Sequence, residues 1–348
     1  MSLPALLSPI TSRDIPLYRE FFARDRQIAC YGNSWAYITQ ACRGFGLGLK
    51  YYEPDLLVSI GRHRGHYVIV RPLGSIDGRF IALLTALRKN SGKPIFIKKL
   101  FPNQVARLRQ LGNFHEAATY ESRTGKVFAG KYPWDAVAFA DDDTYPEFIL
   151  DIDITRQHWL KPRDWFDRFQ KARRNPDSAL PSTVLREHYR KFRHHVHQFL
   201  RLDIGCRLDA YTKGDVAAVR KFISRYFGEE RLPNVEAYNS MLISFHTMIE
   251  DELRFGFTAH VDGIASPVGF FLGERLDRKS VGSYARIVSR CYPGFPEYLG
   301  VYIMSQLSRA GISLLNLGGS ETAAIQNFKQ KHAPIEERYM QMLVYGIE

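Results

Sequence analysis

The chain has few cysteines, fewer acidic than basic residues, and no long apolar run. Its four cysteines, Cys30, Cys42, Cys206 and Cys291, stand far apart. They form neither a CxxC pair nor a zinc-like spacing, which argues against a disulfide framework and for a reduced, cytoplasmic protein. No run reaches the roughly 18 apolar residues of a membrane span. The opening MSLPALLSPITSRD lacks a basic leader and is broken by Pro4 and Pro9, so no signal peptide is expected. There is no GxSxG elbow, so a serine-hydrolase triad is not expected. The most acidic stretch, DDDTYPE at 141–147, has neither the alternation nor the glycine of a calcium loop. It reads as a solvated loop, and no metal site is expected.

What the chain does have is positive charge. Lys and Arg number 48 against 36 Asp and Glu, a net charge of +12 over 348 residues. That excess points to an anionic partner such as nucleic acid, a lipid surface or a phosphate-rich cosubstrate. The charge is concentrated in PSTVLREHYRKFRHHVHQFLR, 181–201. Leu185, Tyr189, Phe192, Val196 and Phe199 recur at helical spacing and define an apolar face. Arg186, Arg190, Arg193 and His197 form a row beside it, with Lys191 and His194 further round. Glu187 is the one acid, so little intrahelical pairing is expected to offset the charge. A phosphate backbone is the ligand such a face fits.

Around this helix the chain reads as two α/β halves. Residues 12–46 look helical. Strands follow at 56–61 and 66–71, a helix at 79–89, a strand at 94–100, a helix at 104–111 and a strand at 114–120. The halves are expected to join within 141–165, giving an N-terminal domain over 1–150 and a linker with the basic helix over 151–204. From 205 to 348 the order is strand 207–211, helices 215–227 and 236–253, strands 254–261, 268–276 and 281–288, helix 299–310, strand 312–317, helix 321–331 and strand 339–344. The Asp262-Gly263 pair marks a hairpin turn. Strand 312–317 runs into Gly318-Gly319-Ser320, where strand ends and helix starts meet, a favoured ligand position in α/β sheets.

The order over 205–346 resembles the GNAT acyltransferase fold, and the first half resembles a degenerate second copy. The fold class expected is therefore α/β (α+β), with two tandem GNAT-like domains, each a mixed sheet flanked by helices. Three stretches are similar to the catalytic domain of phosphatidylglycerol lysyltransferases: HYRKFRHHVHQF (188–199), SYARIVSRCYPGFPEYLG (283–300) and LNLGGSETAAIQNFKQKHAP (315–334). With Pro334 matched to that family's proline, Asn316 and Lys329 are retained, while Ser320 replaces Asp and Gln326 replaces Arg. The family uses the acid to hold a cationic amino acid, so the resemblance does not imply lysine here. With the Fem-type transferases, these enzymes form a group that takes its acyl group from aminoacyl-tRNA.

An acyl-CoA enzyme of this fold carries Gln/Arg-x-x-Gly-x-Gly/Ala before its third helix, and the amides there bind the pyrophosphate. Here Pro293 and Pro296 interrupt that stretch and remove donors. The resemblance thus implies aminoacyl-tRNA as cosubstrate, with no other cofactor. The acceptor would be an amine or hydroxyl on a small molecule, peptide or lipid headgroup. Glu297, Glu321, Asn316 and Ser320 are the candidate catalytic residues: the acids for proton transfer or for holding the α-ammonium, Asn316 and Ser320 for the oxyanion. Tyr284, Arg286, Tyr298, Gly318, Gly319 and Lys329 are candidates for substrate binding. Arg186, Arg190, Lys191, Arg193, His194 and His197 are candidates for tRNA. Two other readings stay open: an acyl-CoA N-acyltransferase, and a non-catalytic nucleic-acid or anionic-surface binding protein.

Overall fold

A computed structural model describes residues 7–347 except 26, 45–47, 64, 117–145, 158–166, 168–170, 173–181, 231–238, 240–241, 243–244, 248, 291 and 320–322. The first half begins with β1 (Ser8–Pro9), α1 (Ile15–Arg24), α2 (Trp35–Gly44), β2 (Leu49–Glu53), β3 (Leu56–His63) and β4 (His66–Gly74). It continues with α3 (Gly78–Ser91), β5 (Ile95–Leu100), α4 (Pro102–Leu111) and β6 (Phe114–Glu116). Next come β7 (Glu147–Asp151), α5 (Ile152–Gln157) and the basic helix α6 (Ser182–Leu200). The second half holds β8 (Cys206–Ala210), α7 (Val216–Glu230), β9 (Arg254–Val261), β10 (Gly269–Asp277) and β11 (Ser280–Val288). It closes with α8 (Phe295–Arg309), β12 (Leu314–Asn316), α9 (Ala323–Gln330), β13 (Glu336–Arg338) and β14 (Gln341–Tyr345).

Local chemistry sets several of these boundaries. Asp77 caps α3 by accepting the Arg79 N–H at 2.8 Å, and Gly92 ends the helix in a left-handed turn (φ 65°). Residues 12–46 are not one helix. The segment 25–34 separates α1 from α2, with Ala29 at φ 52°. Long-range hydrogen bonds, described below, hold that segment open against its helical neighbours.

The strands form two sheets, ordered β1-β2-β3-β4-β5-β14-β6 and β13-β7-β12-β11-β10-β9-β8. Each half thus completes the other's sheet. β7, from the end of the first half, lies between β12 and β13, while β14 lies between β5 and β6. The order of each sheet matches the other when the exchanged strand is counted in place. The chain is therefore two GNAT-like units, each a mixed sheet flanked by helices. Alternation along the strands divides the cores. Leu56, Val58 and Ile60 of β3 face one cluster, and Leu57 faces a second with Tyr18, Trp35 and Val70. In β10, Phe271 joins the cluster under α8, and Phe270 and Leu272 join the cluster under α7.

In each sheet one adjacent pair is parallel, and it separates soon after it forms. β4 and β5 pair at Val68↔Phe96 and Ile69↔Ile97. β11 and β12 pair from Ser280↔Leu314 to Gly282↔Asn316. Beyond those points the strands diverge and leave a wedge-shaped gap.

Candidate functional site

The wedge between β11 and β12 is entered by a residue from the other half. Tyr31, on the segment 25–34, packs beside both strands, and a Cβ added at Gly282 or Gly318 would lie 3.2 or 3.5 Å from its ring. Its hydroxyl donates to the Ser283 carbonyl at 3.2 Å. Its ring meets Tyr37 and Tyr284 edge-on at 5.3 and 5.5 Å. Burial raises the Tyr31 phenol pKa well above its ordinary range, with Tyr37 and Glu147 adding to the shift.

Beside Tyr31 is Glu274 of β10, a buried carboxylate on a strand face otherwise made of Phe270, Leu272 and Leu276. Ser34 donates to its Oε2 at 2.9 Å, and Tyr284 donates to the same oxygen. The Trp35 and Ala36 amides, at the start of α2, each approach it at 3.3 Å. Burial raises the Glu274 pKa, against hydrogen bonds from Tyr284 and Ser34 that lower it. Burial and the Glu274 charge together raise the Tyr284 phenol well above its usual value. A carboxylate so placed holds a proton more readily than a solvated one.

A second polar knot ties the halves together beneath the wedge. Asn316 donates through Nδ2 to the Ala29 carbonyl at 2.7 Å and to Glu147 Oε2 at 2.8 Å, and its Oδ1 accepts the Gly318 N–H at 2.7 Å. Lys99 Nζ lies 3.5 Å from Glu147 Oε1. Arg338 donates to the Ala29 and Ile28 carbonyls at 3.3 and 3.0 Å, and Asp277 accepts the Ala29 N–H at 2.8 Å.

The residues singled out in the sequence fall into two groups. Tyr284, Asn316, Gly318 and Lys329 gather around Tyr31. Arg286, Glu297 and Tyr298 gather at the start of α8. Arg286 donates to the Pro296 carbonyl at 2.9 Å and lies 5.3 Å from the Phe328 ring centroid. Burial pulls its guanidinium down to about 10, with the nearby Glu297 charge opposing. Ser320 and Glu321 lie outside the described residues.

Two of these residues make hydrogen bonds within the protein. Asn316 was expected to donate to an oxyanion, but its amide group is committed on both sides within the knot. Lys329, a substrate-binding candidate, donates through Nζ to the carbonyls of Gly318 and Gly319. Gly319 is exposed at the turn itself.

Glu297 is buried in the first turn of α8 and pairs with His195 Nδ1 of the basic helix at 2.9 Å. A Cβ at Gly294, whose φ is 77°, would overlap the His195 backbone carbonyl. The Phe199 ring packs, tilted, against Tyr298 and Phe295 at 4.6 and 5.0 Å, so α6 lies directly against the start of α8. The apolar row of α6 is buried at Tyr189, Phe192, Val196 and Phe199, as its spacing predicts. Of its basic residues, Arg190, Lys191 and His194 are exposed, and Arg193 and His197 are half-buried. The side chain of Arg186 lies outside the described residues. The expectation that intrahelical pairing is negligible is also corrected. Glu187 pairs with both Arg190 and Lys191, at 3.3 Å each.

Sequence reasoning missed Glu274, Ser34 and Tyr31. One signal was available: Glu274 is an acid at an inward position of GFFLGERLD, a strand otherwise apolar on that face. Glu274 also lines a cavity of about 480 Å3 with Asp25, Asn33, Trp35 and Asp277. A further cavity of about 470 Å3 lies in the first half, beside Arg71 and the start of α4. No helix among the described residues is long and apolar enough to cross a membrane.

Two GNAT-like units with exchanged strands define the class of fold. A conserved protein of unknown function from Bacteroides thetaiotaomicron superposes with a TM-score of 0.65 at 12% identity, over 97% of this chain and 98% of that one. FemX superposes with a TM-score of 0.57 at 9% identity, over 98% and 97% of the two chains. The C-terminal domain assigned to a lysylphosphatidylglycerol synthetase of Agrobacterium fabrum gives 0.53 at 11% identity, over 96% and 92%. No family model matches the sequence, and no curated protein matches it. At these identities the likeness is one of fold.

Proposed function

We propose that the protein is an acyltransferase that passes an aminoacyl group from charged tRNA to an amine or hydroxyl acceptor. The observation that carries this reading is the start of α8. In an acyl-CoA enzyme of this fold, free amides there receive the pyrophosphate. Here the Phe295 N–H is bonded to the Tyr292 carbonyl, Pro296 has none, and Glu297 places a buried carboxylate in the first turn. The basic helix α6 covers the rest. A pyrophosphate would meet a carboxylate and a packed helix, whereas the outer face of α6 still offers Arg190, Lys191 and His194 to a phosphate backbone. The fold shared with FemX and with the lysylphosphatidylglycerol synthetase domain supports the same donor.

An aminoacyl ester is already activated, so no covalent enzyme intermediate is needed. The acceptor nitrogen or oxygen bonds to the ester carbon, the bond to the ribose oxygen breaks, and that oxygen takes up a proton. Glu274 is the group we assign to receive the acceptor's proton, with Tyr284 and Ser34 fixing its carboxylate.

The test is a screen of charged tRNAs for protein-dependent deacylation in the presence of candidate amines. Glu274→Gln should lower turnover by about 100-fold or more while the protein stays folded. Turnover of acetyl-CoA with the same amines would replace this reading with the acyl-CoA one. A stable complex with tRNA and no turnover of any amine would replace it with a binding protein.

A further inference from the structure

The two ends of the second sheet are finished differently. β13 ends it on one side, and Glu337 and Arg338 there are buried. β8 ends it on the other, and Arg207, Asp209 and Ala210 there are exposed. Among the described residues no strand pairs with the outer side of β8. At five residues β8 is longer than the other strands that end a sheet: β13 and β6 have three, and β1 has two. An open edge is a template for another chain, and proteins usually blunt it with a lysine, a proline or a bulge. CRLDA has none of these, and its two charges are of opposite sign.

The backbone phase of this edge is defined. The Tyr211 N–H donates to the Gly256 carbonyl at 2.9 Å, and the Gly205 carbonyl accepts the Asp262 N–H at 3.0 Å. The odd-numbered residues of β8 therefore turn their backbone groups to β9, and the N–H and C=O of Leu208 and Ala210 point away from it. Side chains alternate between the faces of the sheet. Leu208 packs on the core under α8, so Arg207 and Asp209 project together from the opposite face. The Arg207 Nε–H donates to Asp209 at 3.0 Å, and His260 Nε2 lies 3.7 Å from the same carboxylate. Around Leu208 the charges form an inverted repeat. Arg207 and Asp209 lie one residue to either side, Asp203 and Lys213 five, and Arg201 and Asp215 seven. Every charged residue from 201 to 215 thus has one of opposite sign at the same distance beyond Leu208.

We propose that β8 is a docking edge for a second copy of this chain, paired antiparallel about a two-fold axis through Leu208. That register sets Leu208 opposite itself as a hydrogen-bonded pair, as its outward N–H and C=O require. Arg207 of each copy then stands opposite Asp209 of the other, on the same face, in a non-hydrogen-bonded pair, where side chains are closer. Among the described residues Arg207 is bonded only through Nε, so its remaining N–H groups can reach the second carboxylate. Moving the register by two residues sets Arg207 against Arg207 or Asp209 against Asp209, so the charges select one pairing. Leu200 and Leu202, at the end of α6 and in the turn leading into β8, are exposed apolar side chains within a few residues of the contact. In such a pair both copies of α6, which packs against α8, lie on one side of a sheet continuous through the two molecules. The contact does not depend on the acyl-transfer reading.

The experiment is sedimentation equilibrium of the full chain from about 1 μM to about 1 mM, the range of weak reversible contacts. A five-residue ladder is a small contact, so a reversible, concentration-dependent dimer is expected. Arg207→Asp leaves acids alone at the paired positions, and Asp209→Arg leaves arginines alone. Each single variant should dimerise about tenfold or more weakly than the wild type. Mixed in equal amounts, the two should associate with each other, because every acid then faces a base. The double variant, Arg207→Asp with Asp209→Arg, should dimerise like the wild type. Both residues are exposed, so the unfolding midpoints should not move. Ala210→Pro is an independent variant: it removes an outward N–H, leaves the β8–β9 ladder in place, and should also weaken the dimer. A wild-type chain that stays monomeric over the whole range would overturn the inference and leave the edge to a strand of another protein. A dimer that the single variants leave intact would overturn it too, as would single variants that stay apart when mixed.

Discussion

The two wedges share one backbone frame and are filled with opposite chemistry. Two residues past the last parallel pair stand Arg71 on β4 and Lys99 on β5 in the first half. Tyr284 and Gly318 occupy the same places in the second. Lys99 and Gly318 are both left-handed, at φ 59° and 66°, so the chain turns the same way at both gaps. In the first half the gap is closed by charge. Arg71, 1% exposed, pairs with Asp25, donates to the Lys99 carbonyl at 3.0 Å and to Gln104 at 3.2 Å, and lies 4.7 Å from the Phe101 ring centroid. In the second half it is closed by tyrosines and glycine around a carboxylate with a raised pKa. The first gap holds itself shut with its own ions. The second is lined by neutral phenols around one carboxylate, and a cavity of similar volume lies beside each gap.

Substitutions on either side test that contrast. The largest effect is expected from Arg71→Leu, which strands the Asp25 carboxylate in the first gap. Breaking a buried ion pair from one side costs about 3–5 kcal/mol, readable in the urea midpoint. Any folded fraction should keep its turnover, and a specific loss of turnover would give the first gap a chemical role.

A feature with no partner in the first half comes next. His332 is fully buried between Phe192 and Phe328, and its Nδ1–H donates to the Phe328 carbonyl at 3.1 Å. Burial, with the Arg286 charge as a lesser cause, pulls its pKa from 6.5 down to about 3. The unfolded chain therefore binds the proton first as pH falls. The stability this histidine retains above 6.5 is lost between 6.5 and about 3, at roughly 1.4 kcal/mol per pH unit. By pH 5 the loss is about 2 kcal/mol. His332→Phe should flatten that part of the stability–pH curve by the same amount, and parallel curves for the two proteins would contradict it.

Gly318→Ala should cost about 1–2 kcal/mol, the penalty of a Cβ in the left-handed region. The nearest Tyr31 atom would be at ordinary contact distance, 3.5 Å, so backbone strain should be the whole effect. The smallest change expected is Tyr31→Phe, which removes one hydrogen bond to the Ser283 carbonyl and costs about 1 kcal/mol in thermal unfolding.

Much of this architecture is legible in the chain, because period and punctuation are local. The apolar row of α6, the caps of α3 and the bounds of β9 follow from neighbouring residues. What escaped is long-range. Ala29 adopts a left-handed turn because Asp277, Asn316 and Arg338 hold its backbone, and each is more than 240 residues away. Helical propensity across 12–46 contains no trace of those bonds. The exchange of β7 and β14 is invisible for the same reason. Around the wedge, Tyr284 was singled out through the family resemblance of 283–300, whereas Tyr31 and Ser34 come from the other half.

The exchanged strands also bear on how the molecule is made. The first sheet lacks its sixth position until residues 341–345 have been translated and threaded between β5 and β6. Neither unit is a module that can be cut out. Expressing 1–150 alone would leave β5 and β6 without the strand that joins them, and β7 as an apolar strand without its sheet. Such closures across the whole sequence are slow and leave strand edges open to aggregation in the meantime. Removing the last eight residues should therefore open the sheet farthest from them in sequence.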